Sequence, residues 1–217
     1  MIKAVIFDMD GVLIDSEPLW RESATIIFQQ AGAPLTHALM RQTSGLRIDE
    51  FVQHWHRHFK MDAHEPTLRK IILQDVCDRI RTKGQALPFA KEAVQLVKDR
   101  GLKVGLATSS PTVVINAVLE RIQLSPKAFD VRLSAEKLSH GKPHPEIYIQ
   151  AAKKLGVAPT DCLAIEDSIN GMVAAMAARM TTRVIPDTSQ REDKRFGLAD
   201  IMGESLGKLD DVIGNLS

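Results

Sequence analysis

The sequence predicts a doubly wound α/β fold, a mostly parallel Rossmann-like sheet into which an all-helical domain is inserted. Three observations predict it. Short apolar runs alternate with amphipathic helical patterns along most of the chain, and each run ends in polar or acidic residues. One stretch, residues 16–85, shows helical periodicity and no convincing strand. Strand alternating with helix calls for parallel strands joined by crossovers.

The first run, 4–7, is continuous and apolar, as suits a strand buried on both faces. Runs 102–107, 129–133, 163–165 and 183–185 repeat the pattern. Helices fill the intervals. Residues 88–100 carry Phe89, Ala93, Val94 and Val97 on one face and stop at Gly101. Residues 111–122 follow Ser110, a good N-cap, with proline at the first helical position. Residues 144–155 end at Gly156, and 169–178 precede the last strand. Within 16–85 three stripes stand out: Trp20, Ala24, Ile27, Phe28 and Ala31; Ile48, Phe51, Val52, Trp55 and Phe59; Leu68, Ile71, Ile72, Val76 and Ile80. Open α/β sheets bind ligands beyond the C-terminal ends of their strands, so an insertion directly after the first strand covers the site as a lid. The expected division is an α/β core of 1–15 and 86–217 and a helical cap of 16–85.

Composition narrows the function. Lys plus Arg is 28 and Asp plus Glu 27, a net charge of +1, which removes the basic footprint of a nucleic-acid or acidic-membrane binder. Hydrophobic residues at 44% and charged residues at 25% fit an ordinary globular chain and disfavour disorder. No unbroken apolar window reaches the length of a membrane span. The opening MIKAVIFDMD meets carboxylates too early for a signal or transit peptide. Cys77 and Cys162 lack CxxC spacing and read as core residues of a reducing compartment. A cytoplasmic protein with neither nucleic-acid nor membrane partner is expected. A monomer suffices, because the cap can itself exclude water.

The chemistry concentrates where strands end. Asp8 and Asp10 are two apart, so an extended backbone points both the same way, and Gly11 permits the turn that follows. Thr108, Ser109 and Ser110 offer hydroxyls and amides at a helix N-terminus, a ready anion site. Lys142 sits in Gly141-Lys142-Pro143, and Glu166-Asp167-Ser168 ends a further strand. Converging acids need a cation, and oxygen-only ligands favour Mg²⁺. Hydroxyls, amides and a lysine supply what a phosphate requires. Mg²⁺-assisted phosphoryl transfer follows, with one Asp as nucleophile and a second as general acid/base.

These four motifs, Asp8-Met9-Asp10-Gly11, Ala107-Thr108-Ser109-Ser110, Gly141-Lys142-Pro143 and Glu166-Asp167-Ser168, resemble those of the haloacid dehalogenase-like hydrolase superfamily, in order and across nearly the whole chain. Ser16-Glu17-Pro18-Leu19-Trp20 and Gly45-Leu46-Arg47-Ile48-Asp49 resemble its helical-cap sugar-phosphate phosphatases. The resemblance implies hydrolysis of sugar or sugar-alcohol phosphates: hexose or hexitol 6-phosphates, or 2-deoxyglucose 6-phosphate. It implies Asp8 as the nucleophile that becomes a phospho-aspartate, and Asp10 as acid/base. Asp8, the Asp10 carbonyl and Asp167 would hold Mg²⁺, with Glu166 ligating or just outside. Thr108, the Ser109 amide and Lys142 would clamp phosphate, and Glu17, Trp20 and Arg47 are candidates to touch substrate. Family members often have glycine after the proline where the cap returns, whereas here Phe89 follows Pro88.

Rival readings leave different marks. β-Phosphoglucomutase-like sugar phosphomutases share all four motifs but typically carry histidine near the position of Trp20. A haloalkanoate dehalogenase would not keep Asp10. A phospho-accepting receiver, a signalling switch, also uses acids, a hydroxyl and a lysine, but it is shorter and lacks the helical insertion. His54, His56, His58 and His64 have metal-compatible spacing but no carboxylate or cysteine partner at zincin-like spacing, and read as a solvated helix face.

Overall fold

A computed structural model describes residues 1–216. Its six-stranded sheet has the order β3-β2-β1-β4-β5-β6, with every neighbouring pair parallel. The strands are β1 (Ala4–Phe7), β2 (Lys103–Thr108), β3 (Val131–Ser134), β4 (Cys162–Glu166), β5 (Thr181–Val184) and β6 (Ile201–Met202). Strand order turns back at β1, with β2 and β3 on one side and β4 to β6 on the other. That makes β1 the switch point at which open sheets bind ligands.

Side chains alternate across the sheet and separate two apolar layers. Val5, Phe7, Val104, Leu106, Leu163 and Ile165 face one of them, together with α5 (Ala90–Asp99) and α6 (Thr112–Arg121). Ala4, Ile6, Ala107 and Ala164 face the other, where α7 (Glu146–Leu155) lies close over these small residues with α8 (Ile169–Ala177).

Between β1 and α5 the chain is helical: α1 (Glu17–Gln30), α2 (His37–Met40), α3 (Ile48–Phe59) and α4 (Glu65–Lys83). Its incoming and outgoing legs lie side by side. Ile14 bridges Ala86 antiparallel, the Asp15 amide donates to the Gln85 carbonyl at 2.9 Å, and the Leu87 amide donates to Leu13 at 3.0 Å. Phe28, Trp55, Ile72 and Ile80 are fully buried, and α4 packs on both α1 and α6, so this segment and the sheet's first face share one apolar cluster. Cys77 and Cys162 are buried and unbridged. No helix among the described residues is long and apolar enough to cross a membrane.

Four local expectations are corrected. Helix α5 starts at Ala90; Phe89 is half exposed at φ +66°, a left-handed conformation in which glycine would be unstrained, and its ring lies against Gly207. Ile71 leaves the third stripe and is exposed, because Leu68, Ile72, Val76 and Ile80 already define the inward face of α4. Ser110 does not cap α6, whose N-cap is Pro111 without a side-chain bond. Strand β6 and α9 (Leu209–Asn215) have no counterpart in the sequence reading, since two residues and seven carry too little periodicity.

Candidate active site

Strand register brings the functional residues to one edge. Phe7 pairs with Leu106 on one side and Ile165 on the other, so Asp8, Thr108 and Glu166 leave the sheet together. The Asp8 amide donates to the Ile165 carbonyl at 2.9 Å, fixing the turn.

Lys142 reaches this edge from the loop before α7 and is almost fully buried. Its ammonium donates to Asp8 Oδ1 (2.7 Å), Glu166 Oε1 (2.5 Å) and the Ala107 carbonyl (3.2 Å), which uses all three protons. Burial alone would lower its pKa, but Asp8 and Glu166 hold it above the ordinary lysine value. Glu166 is saturated: Oε1 also accepts from the Tyr148 hydroxyl, and Oε2 from the Asp167 amide and the Ser168 hydroxyl. Burial, reinforced by Glu166, pushes the Tyr148 phenol well above its usual range and keeps it a donor.

Asp8, Glu166 and Asp167 each present a carboxylate oxygen within 4.8 Å of the others. Three carboxylates against one ammonium leave positive charge in deficit. Desolvation, opposed by Lys142 and reinforced by Glu166 and Asp10, raises Asp8 to about 8. Desolvation, with the charges of Glu166 and Asp8, lifts Asp167 well above the usual carboxylate range. An oxygen-only donor set with excess negative charge fits a hard divalent cation. Gly11 lets the chain pass this cluster: its φ is +75°, and a Cβ there would lie 1.9 Å from Asp167 Oδ2.

Asp10 occupies a separate cradle. Its Oδ1 accepts from the Ser16 hydroxyl and, at 3.2 Å, from the Trp20 indole N–H. Its Oδ2 accepts from the Ser110 hydroxyl at 2.7 Å and the Thr108 hydroxyl at 3.3 Å. The Ser110 hydroxyl is thus spent on Asp10 rather than on the helix end.

Besides the Trp20 bond to Asp10, four bonds to main-chain carbonyls fasten the helical segment over the pocket. Ser109 Oγ donates to the Gly45 carbonyl and Asn170 Nδ2 to the Ser44 carbonyl, both at 2.8 Å. Arg47 Nη1 donates to the carbonyls of Leu138 (2.8 Å) and Ala135 (3.3 Å). Asp8, Asp10, Glu17, Trp20, Thr108, Ser109, Lys142 and Asp167 line the pocket beneath, with Leu46, Ile48 and Phe51 as its apolar side. Glu166 lies behind Lys142, and Arg47 is turned away to the fastening. Glu17 is raised by burial against the pull of Arg21, its partner at 3.1 Å.

Sequence reasoning missed Ser16 and Tyr148, and gave Ser110 a different task. Tyr148 is the only tyrosine in the chain, and a buried phenol needs a hydrogen-bond partner, which was the available clue. His54, His56, His58 and His64 join no metal-ligating cluster among the described residues; His54 and His58 pack edge-on against Trp55, and His56 meets the Ala63 carbonyl through Nε2 and the Glu65 carboxylate through Nδ1 at 3.3 Å.

Comparison with known proteins agrees with this architecture. The chain is 41% identical over 211 residues to hexitol phosphatase B of Escherichia coli (strain K12), covering 96% of this chain and 94% of that one. The crystal structure of CbbY from Rhodobacter sphaeroides in complex with phosphate superposes with a TM-score of 0.87 at 25% identity, covering 96% of both chains. β-Phosphoglucomutase from Clostridium difficile shares the fold, with a TM-score of 0.87 at 24% identity over 99% of this chain and 96% of its own. A family model described as haloacid dehalogenase-like hydrolase matches residues 2–179, and the chain belongs to that family.

Proposed function

We propose that the protein is a Mg²⁺-dependent phosphatase of sugar or sugar-alcohol phosphates, with hexose 6-phosphates, hexitol 6-phosphates and 2-deoxyglucose 6-phosphate as the substrate class. Residues 16–85 serve as its cap, and 1–15 with 86–217 as its core. The observation that carries the reading is one pocket holding a lysine-paired carboxylate, Asp8, beside a second carboxylate, Asp10, in a cradle of hydroxyls. Similarity to hexitol phosphatase B supports the substrate class.

Asp8 attacks phosphorus and forms an aspartyl phosphate while Asp10 protonates the departing sugar oxygen. Asp10 then takes a proton from the water that hydrolyses the intermediate. Three of the four groups on Asp10 are hydroxyls, which turn from donor to acceptor, so one cradle fits both protonation states; the Trp20 indole only donates and fixes the direction. Lys142, the Thr108 hydroxyl and the Ser109 amide hold phosphate oxygens, Lys142 sharing protons it otherwise gives to Asp8 and Glu166. Asp8, the Asp10 carbonyl and Asp167 would hold Mg²⁺, which when bound draws in phosphate and offsets its charge. Glu166, with both oxygens already occupied, stays outside that ligand set and aims Lys142.

Phosphate release from a panel of hexose and hexitol phosphates tests the reading. Wild type should turn over, stop with chelator, and fall about 10²–10⁴-fold in Asp10→Asn, the usual worth of general acid–base catalysis. Conversion of a hexose 1-phosphate to its 6-phosphate without phosphate release would make the protein a mutase. One stable phosphorylation without turnover would make it a switch.

A pH effect follows from Asp8. In the metal-free protein its carboxyl keeps a proton up to about pH 8, against 3.8 as its ordinary value. Between these values the folded state binds more protons than the unfolded, so stability falls as pH rises. For Asp8 to ligate a cation that proton would have to leave, so cation binding should tighten as pH approaches 8. The increase in melting temperature caused by Mg²⁺ should therefore be larger at pH 8 than at pH 6. Equal increments would contradict a protonated Asp8.

A further inference from the structure

Outside the pocket, on the loop that carries Lys142, two imidazoles and a carboxylate meet. His140, His144 and Glu146 each offer a ligand atom within 4.8 Å of the others. This cluster and the acid cluster of the pocket are the two groups of that kind among the described residues. His140 Nδ1 lies 3.4 Å from Glu146 Oε2, and two ligands about 2.1 Å from a tetrahedral ion stand about 3.4 Å apart. The two imidazoles stack with centroids 4.4 Å apart, so their nitrogens need little movement to converge.

The backbone already holds this loop in shape. The His140 amide donates to Glu146 Oε2 at 3.0 Å, and the His144 amide donates to the Gly141 carbonyl at 2.9 Å. One cost is visible: His144 Nδ1 accepts the Glu146 amide at 3.2 Å, and a neutral imidazole has a single ring lone pair, so ligation forfeits that long bond. His140 is largely solvent-exposed, which leaves a path for an ion and room for water as further ligands. Cluster and pocket differ in chemistry. Two nitrogens and one oxygen suit a borderline ion such as Zn²⁺, whereas the all-oxygen acids suit a hard one.

We propose that His140, His144 and Glu146 form a second, surface divalent-metal site selective for Zn²⁺-like ions over Mg²⁺. Its ligands flank Lys142 in sequence, so an ion there ties together the two ends of the loop that delivers the ammonium to Asp8.

Calorimetric titration of untagged protein with Zn²⁺, in Mg²⁺ high enough to fill the acid cluster, tests this. Loss of an outer-shell partner alone typically costs about 10–100-fold in metal affinity. Wild type should bind one Zn²⁺, His140→Ala should weaken it at least about 10-fold, and His140→Ala/His144→Ala should abolish it. In zinc-free buffer that double variant should keep wild-type Mg²⁺-dependent turnover. Absence of stoichiometric zinc in wild type, or undiminished binding in the double variant, overturns the proposal. Should the double variant fold poorly, zinc-edge X-ray absorption on wild type decides. Imidazole ligands uphold the site; an oxygen-only shell overturns it.

Discussion

Asp8→Asn is expected to lower turnover about 10⁵-fold or more while leaving the metal-free protein at least as stable as wild type. The first half rests on chemistry: an amide oxygen cannot form the phosphoryl intermediate, and losing a nucleophile in a concerted catalytic set costs on the order of 10⁶ in turnover elsewhere. The second half rests on electrostatics. Asp8 stands among Glu166, Asp167 and Asp10, and desolvation raises it to about 8, so its charge is costly in the folded state. The substituted side-chain amide would still accept from Lys142 through its oxygen, and Lys142 would keep Glu166 and the Ala107 carbonyl. Phosphate release and thermal melting in chelator read the two halves separately. Residual turnover within 100-fold of wild type would point to another nucleophile. A melting temperature several degrees lower would make the Asp8–Lys142 pair structural first and catalytic second.

Gly171→Ala should destabilise the protein by at least about 3 kcal/mol and reduce turnover about 100-fold. Helix propensity alone predicts the reverse, a gain of about 0.5–1 kcal/mol for replacing glycine inside a helix. The difference is steric. A Cβ at 171 would stand 2.0 Å from the Glu166 carboxyl carbon and Oε1, and Glu166 cannot yield, being fully buried and bonded to Lys142, Tyr148 and Ser168. Overpacking costs about 1–3 kcal/mol, and disrupting a buried charge network adds about 3–5 kcal/mol when a partner is lost. Activity falls with stability because Glu166 aims Lys142 at Asp8. Gly214→Ala is the control: it lies in α9 with nothing near its missing Cβ, and should gain the propensity term. Shortening the acid with Glu166→Asp in the Gly171→Ala background should restore part of the loss. Equal stabilisation by both alanines would show Glu166 to be free to move.

The parts legible in the sequence were those governed by local rules. Four parallel strands ending in Asp8, Thr108, Ser134 and Glu166 could be located from short apolar runs, and their register alone brings three of these motifs together. The parts not legible depend on partners far away in the chain. Ser110 reads locally as a helix cap, yet Asp10, a hundred residues earlier, claims its hydroxyl. Arg47 reads as a cation facing the pocket, yet backbone carbonyls of Ala135 and Leu138 take its guanidinium. Tyr148 sits on the face of α7 that looks like plain core, and only the fold places Glu166 beneath it. Pro88-Phe89 is the intermediate case: the sequence departs there from the glycine frequent in the family, and Phe89 takes up the positive φ itself.

Four of the bonds that hold the helical segment over the pocket end on main-chain oxygens, at Ser44, Gly45, Ala135 and Leu138. Main-chain acceptors are indifferent to the side chain that follows them. Gly45, at φ +81° and with Ser168 2.8 Å from a Cβ, is held to glycine by conformation and contact. Leu46 beside it lines the pocket under no such constraint, whereas Ile48 also belongs to the buried core. On the proposed reading, substitutions at Leu46, by laboratory selection or by descent, should alter substrate preference while the fastening stays as it is.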